Sequence, residues 1–414
     1  MTPDTPPNFL SLAKRIPSRG VVVAFAMMFT SSYLDNLRGV ILPLISRELD
    51  IKYDAASWLL GLGNISAVLV ALGLLAFLKR FSLRSALFYA VFGMAAVVLG
   101  APLVQDYRSF LIFAFLLGGL LTALGTVSSL TMMGEVEGPK LASSLSLLHV
   151  MYGAGSLMGP AVASRLLSEG WHWVGLMHLG LVGLALCAGM SISNSSKASP
   201  APAEVNGDSK KSVKNGSRGL QVLLLLTFAT YVAGEVVGSM WMTTYLVEAQ
   251  RMTVEAAAPY VSGFFLFMAI SRALTFFARA PALQTWLMTG CLGVALVAFC
   301  VGLSGQLWAF PALGLLGPFY PLFMSRVTHV FPTTWQKMTL WAIISMQVAL
   351  LGSHWAVGEV LTHFGAAIAF RFPAIMILAT LFLTLVYLRQ ERREMAAVGG
   401  GATSKEFFPV KLLE

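Results

Sequence analysis

The chain has 414 residues, 57% of them hydrophobic and 11% charged, with a mean hydropathy of +0.76. A soluble domain carries about a quarter charged residues, so this composition excludes one and places the chain in lipid. The net charge of +9 does not indicate nucleic acid, because the basic residues are dispersed at the ends of apolar runs rather than gathered on one face.

A helix needs about 20 apolar residues to cross a hydrocarbon layer of roughly 30 Å. The sequence predicts about twelve such spans, near residues 20–46, 55–78, 83–104, 108–134, 138–168, 171–192, 219–248, 256–279, 283–304, 306–330, 334–363 and 369–390. Continuous apolar blocks such as "AVLVALGLLAF" and "GLALCAGM" are unlike the period-2 alternation of a barrel strand. The expected fold is therefore an all-α integral membrane protein.

The leader, residues 1–19, is Pro-rich and carries Lys14, Arg15 and Arg19. The run that follows is too long for a signal-peptide core, so no cleavage is expected. About 19 Lys and Arg fall on the side of the leader, about six on the other side, and Arg38, Arg272 and Arg326 within spans, a positive-inside bias that predicts cytoplasmic termini in a cell inner membrane. Cys187, Cys291 and Cys300 all fall in spans and are expected as packing residues. Sequons at Asn194 and Asn215 lie on the expected cytoplasmic side, where glycosylation is not expected.

The first span contains "YLDNLRGVILP", residues 33–43, with Asp35 and Arg38 one turn apart. A carboxylate at the centre of a spanning helix costs about 2.5–3.5 kcal/mol on insertion scales, so it needs a partner or a task. Arg38 at i+3 supplies a partner, and Ser31 one turn earlier extends the polar stripe. Two readings stay open: a structural ion pair that lets both groups enter the bilayer, or a protonation switch in a partly dry cavity.

Residues 193–218 are the long internal polar stretch, rich in Ser, Pro, Gly and Lys, and read as a linker without a core. They divide the chain into bundles of six at 20–192 and 219–393, with a tail at 394–414. The halves echo each other at an offset of about 200 residues: "DAASW" from Asp54 and "EAAAPY" from Glu255, and "GPKLASS" with Gly155-Ser156 and "WQKMTLW" with Gly352-Ser353. Repeats of this kind mark transporters with a midplane site between two bundles. Glycines at packing intervals, such as Gly61, Gly63, Gly118, Gly119, Gly153 and Gly155, suit helices that approach closely.

Three stretches carry a family likeness: the first span ending in "ILP", "YVAGEVVGSMWMTTYL" at 231–246 and "GPFYPLFMSRVTHVFP" at 317–332. With the six-plus-six layout, the chain resembles the major facilitator superfamily, and within it the fucose-permease branch of sugar symporters. The superfamily's loop after the second span is partly kept in "GLLAFLKRFSLR", with Gly73, Lys79, Arg80 and Arg84 but Phe77 where the pattern has Asp. The fucose-permease branch also lacks that acid. The fragment "GSLMGP" at 155–160 partly matches a pattern of drug antiporters, with Ala163 and Ser164 in place of its final glycines.

The resemblance implies twelve helices in two pseudo-symmetric bundles and a central site for a small polar solute. It places a coupling acid about one turn nearer the proline than Asp35, at Gly39, and another near Thr126; both positions are uncharged here. Asp35 and Glu235 are expected to stand in, with Arg38 as the partner of the first. Tyr231, Glu235, Ser239 and Met242 share one helix face.

Asn64, Thr126, His149, Tyr152, Tyr231, Ser239, Gln347 and His354 are the candidate substrate-binding residues, with Thr122, Ser129 and Ser156 as further polar positions. Small hydroxyl residues in membrane helices are more often packing contacts, whereas a histidine at that depth needs a partner. Trp58, Tyr231, Trp241 and Tyr245 offer rings for stacking or for interface anchoring. Arg80, Arg272 and Arg326 are expected in gating networks on the cytoplasmic side. Glu135 and Glu137 near Lys140 read as a solvated loop pair. Glu359 and His363 have metal-ligand spacing but no further ligands, so neither metal nor cofactor is expected.

The expectation is a secondary active transporter that takes in a sugar-like solute by alternating access, coupled to protons or another cation, as a monomer in the lipid bilayer. A proton-coupled exporter and a non-transporting membrane sensor are the alternatives. No nucleotide loop or nucleophile–His–Asp arrangement argues for an enzyme.

Overall fold

The structure, a computed structural model, describes residues 18–136, 140–192, 216–275 and 280–398. Among them, eleven helices are long and apolar enough to cross a membrane, and Leu83–Leu99 is a shorter apolar helix. The N-terminal lobe comprises α1 (Arg19–Glu48), α2 (Trp58–Leu78, preceded by the turn Tyr53–Ala56), α3 (Leu83–Leu99), α4 (Tyr107–Glu135), α5 (Lys140–Ser168) and α6 (Trp173–Ile192). The C-terminal lobe comprises α7 (Arg218–Met240, resuming as Met242–Glu248), α8 (Val254–Leu274), α9 (Pro281–Leu303), α10 (Leu307–Leu316 as a 3-10 helix, then Phe319–Val330), α11 (Trp335–Phe364) and α12 (Phe372–Val398). The predicted third span ends early, because Pro102 turns the chain into a short 3-10 segment after Gly100.

Polar caps set several helix starts. The hydroxyls of Ser18, Ser82 and Ser217 accept main-chain N–H groups at the starts of α1, α3 and α7, and Asp106 with Ser109 forms a capping box on α4. Exposed apolar side chains such as Phe88, Ile112, Val182, Val297 and Phe382 suit a lipid-facing surface, where burial inside the protein is not required.

Each lobe packs through small residues. In the N-terminal lobe α1 is central: Gly155 and Gly159 of α5 abut the carbonyls of Phe29 and Tyr33, and Gly180 and Gly183 of α6 abut Leu34 and Thr30. A Cβ on Gly118 of α4 would lie 2.1 Å from the Cα of Gly63 of α2. In the C-terminal lobe Gly314 and Gly317 of α10 abut the carbonyls of Phe264 and Met268 of α8. Backbones at such separation gain dispersion contact that larger side chains would deny them.

The lobes meet along α2 with α11 and α5 with α8. Their polar contacts run from the middle of α5 and α8 to the end opposite the start of α1 and the end of α12. Ser164 Oγ donates to the carbonyl of Glu255 at 2.6 Å, Ser262 Oγ to that of Leu157 at 3.1 Å, and the Asp54 N–H to Thr362 Oγ1 at 2.8 Å. At the terminal end, Ser18 with Glu135 and Arg326 with Glu391 each join helices of a single lobe, and His149 of α5 is exposed.

Candidate functional site: two acid–arginine pairs between the lobes

Asp35 and Arg38 form an ion pair on α1, and Arg38 Nε also donates to the main-chain carbonyl of Asp35 at 3.2 Å. The Tyr152 hydroxyl of α5 donates to the second carboxylate oxygen at 3.0 Å. Both carboxylate oxygens are thus satisfied, which lowers the cost of holding a charge away from bulk water. The polar stripe of α1 does not hold together as the spacing suggests. Ser31 Oγ donates to the carbonyl of Leu121 on α4, and the buried Asn36 donates to Ser32 O and to Ser156 Oγ of α5 at 2.8 Å. Asn36 had no signal in the sequence beyond its polarity, and it ties α1 to α5 beside the ion pair.

The second pair joins Glu235 of α7 to Arg272 of α8, with 3.7 Å between Nη2 and Oε1. Arg272, grouped by sequence with the cytoplasmic gate, stands instead beside Glu235, and its Nε reaches the carbonyl of Gly317 at 3.4 Å. Tyr231 stacks on Phe319 with centroids 4.6 Å apart. Its hydroxyl is buried with no hydrogen-bond partner among the described residues. Tyr320 and Cys291 lie within Coulombic range of Glu235.

A histidine from the opposite lobe accompanies each arginine. His354 of α11 lies within Coulombic range of Arg38, and His149 of α5 within that of Arg272. His354 is buried, and its Nδ1 accepts from Trp241 Nε1 at 3.0 Å. Trp241 marks the break in α7 and meets Tyr53 of the other lobe edge-on at 6.5 Å.

The remaining candidates are placed less tellingly. Asn64 donates to Leu60 O, Ser239 to Val236 O, Thr122 to Gly118 O and Ser129 to Gly125 O, all along their own helices, the packing role expected of small hydroxyls. Thr126 and Gln347 are half-buried, and Arg80 is exposed at the end of α2. Tyr245 stacks on Phe370 at 4.4 Å, a packing contact. In this structure Arg326, expected in a gating network, bridges Glu391 of α12 at 2.7 Å and Thr285 of α9 at 2.6 Å, both in its own lobe. Glu359 and His363 pair at 3.4 Å; among the described residues no three His, Cys, Asp or Glu gather as a metal site. Glu137 lies outside the described residues, and Glu135 accepts from Ser18 Oγ at 2.7 Å.

Two features of the closed end escaped the sequence. Arg47 at the end of α1 pairs with Glu248 at the end of α7 at 3.1 Å, and Tyr53 donates to the same oxygen at 3.0 Å. Their positions were legible in principle, since each ends the first helix of its half. Gly39, where the resemblance placed an acid, abuts α7 instead: a Cβ there would lie 2.6 Å from the carbonyl of Met240. A shallow cleft of about 370 Å³ lined by Glu48, Pro102, His172 and Trp173 lies on the far rim, away from both pairs.

The fold is shared with solved membrane transporters of low sequence likeness. A substituted form of the nucleoside transporter NupG matches with a TM-score of 0.71 at 11% identity, over 89% of this chain and 98% of that one. A peptide transporter POT in complex with sulfate matches with a TM-score of 0.69 at 15% identity, over 93% and 98%. A bacterial homologue of the iron transporter ferroportin, in an inward-facing state, matches with a TM-score of 0.65 at 14% identity, over 91% and 100%. No curated protein matches the sequence. The family model of the Major Facilitator Superfamily matches residues 22–352, four-fifths of a chain that folds as two six-helix lobes around paired intramembrane charges. The chain belongs to the Major Facilitator Superfamily and is a multi-pass, non-enzymatic membrane transporter.

Proposed function

We propose that the protein is a proton-coupled symporter that moves a small polar, sugar-like solute across the cell inner membrane by alternating access. The observation that carries this reading is one acid–arginine pair in each lobe, on pseudo-equivalent first helices at Asp35 and Glu235. Ionisable groups at membrane depth that pair with each other mark proton and substrate pathways. Asp35 and Glu235 serve as coupling acids, because protonating either one releases its arginine and changes what its helix holds. If the termini are taken as cytoplasmic, the far-end contacts of Arg47, Tyr53 and Glu248 support an inward-facing state.

The likeness of residues 231–246 and 317–332 to the fucose-permease branch supports a sugar-like solute. Among the remaining candidates, Tyr152 and His354 act through Asp35 and Trp241. Export is less well supported, since Gly155 and Gly159 of "GSLMGP" are accounted for by their approach to the α1 backbone.

The test is uptake into proteoliposomes under an imposed pH gradient. Asp35→Asn and Glu235→Gln are expected to abolish uphill accumulation while sparing exchange down a solute gradient. Normal uphill uptake in both variants would reduce the acids to structural roles.

A further inference from the structure

The two ion pairs differ in how fully they are satisfied. Arg38 engages Asp35 through two nitrogens, and Tyr152 completes that carboxylate. Arg272 stands 3.7 Å from Glu235, beyond hydrogen-bond reach, and donates through Nε alone, to Gly317 O. A guanidinium has five N–H donors in a planar fork. Among the described residues, those on the two terminal nitrogens of Arg272 meet no acceptor at hydrogen-bond distance, and the side chain is 35% exposed.

The opposing lobe faces this guanidinium with His149. Helices α5 and α8 run antiparallel, and the bonds Ser164–Glu255 and Ser262–Leu157 fix their register. Carried toward the terminal end, that register sets His149 level with Ile270, two residues from Arg272. His149 is exposed there, so its imidazole is not covered by packed side chains of either lobe. Tyr320 of α10 lies within Coulombic range of Arg272.

We propose that Arg272 and His149 form a subsite for an anionic group, a carboxylate or phosphate, on the transported solute. The inference rests on the transport reading above and narrows the solute to a small organic acid, such as a sugar acid or sugar phosphate. The free fork of Arg272 receives the anion through parallel charge-assisted hydrogen bonds, and His149 closes on it from the other lobe. Glu235 is the incumbent ligand of Arg272, loosely held. The arriving anion displaces it, and a proton adds to the Glu235 carboxylate, so the net charge of the site is unchanged. Tyr231, Tyr320 and Cys291 are the other titratable groups facing Glu235.

The test is ligand-induced thermal stabilisation of the purified full-length protein with glucuronate, a hexose phosphate, inorganic phosphate and neutral glucose at matched ionic strength. The anions are expected to raise Tm and glucose to leave it unchanged. Arg272→Gln should weaken the response at least about tenfold, and Arg272→Lys should keep part of it. Glu235→Gln should strengthen anion binding, an effect that a merely structural ion pair would not give. No shift with any anion, or a shift that Arg272→Gln leaves unaltered, overturns the subsite. Should Arg272→Gln fail to fold, the Glu235→Gln comparison decides, with unchanged or weaker anion binding counting against the proposal. Proton-driven uptake of a neutral sugar without any anion response would refute the subsite and leave the transport reading standing. Anion binding without uptake of any solute would do the reverse.

Discussion

The indole of Trp241 donates to Nδ1 of His354 at 3.0 Å, joining the break in α7 to α11 while the same indole meets Tyr53 of the opposite lobe. The bond requires Nδ1 to be the unprotonated ring nitrogen. Because His354 lies within Coulombic range of Arg38 and Tyr53 donates to Glu248, this contact sits between the central ion pair and the closed far end. Trp241→Phe keeps a ring against Tyr53 but removes the donor, leaving a buried acceptor unmet. We expect a loss of about 1–3 kcal/mol, read as a lower Tm. An unchanged Tm would show that the bond contributes nothing net.

At Gly39 the backbone of α1 lies against that of α7. A Cβ would lie 2.6 Å from the Met240 carbonyl and 2.9 Å from its Cα, both main-chain atoms that cannot rotate away. Gly39→Ala should therefore force the far ends apart and disfavour the state in which Arg47 meets Glu248. Spin labels at Lys52 and Arg251 should report longer interlobe distances in this variant. Gly153→Ala and Gly352→Ala, where nothing lies within 4 Å of the added atom, serve as controls and should leave the distances unchanged.

Arg326 and Glu391 form a buried pair, with the carboxylate side chain only 3% exposed. Removing one member takes away the ion-pair contact of the other at a buried position, so Glu391→Leu alone should cost up to about 3–5 kcal/mol. Replacing both with apolar residues of similar volume should recover most of that loss. Thermal denaturation of the two single variants and the double variant completes the cycle, and additive losses would argue against the coupling.

At the start of α4 the Asp106 carboxylate accepts the Ser109 N–H at 2.7 Å and the Ser109 hydroxyl at 2.9 Å. These bonds hold its pKa below the ordinary value of 3.8. A depressed folded-state value gives a stabilising contribution that is fully present above the unfolded value and is lost as pH falls through the folded one. Asp106→Asn keeps a capping oxygen without the charge. Its Tm should fall below that of the parent near neutral pH, and the gap should close under strongly acidic conditions. A gap independent of pH would assign the effect to something other than the charge.

Hydropathy alone located the spans, because each helix must satisfy its own backbone in lipid and is therefore written locally as an apolar run. The charges of Asp35 and Glu235 were legible for the same reason, since an acid in such a run is conspicuous. Partnerships were legible only where sequence neighbours supply them, as with Arg38 at i+3 of Asp35. Arg272 could not be assigned to Glu235 by spacing, because 37 positions of chain and a helix reversal separate them.

The sequence by itself determined that this is a helical membrane protein of two repeated halves with acids set in corresponding helices, because bilayer thickness and the cost of charge act on each segment separately. Only the tertiary structure decided which groups meet: Tyr152 on Asp35, Arg272 beside Glu235, Glu248 across to Arg47, and a glycine at position 39 pressed against Met240. Those contacts depend on how helices cross and rotate against one another. That outcome is set by backbone approach at small residues and by hydrogen bonds between distant segments, neither of which has a period in the chain.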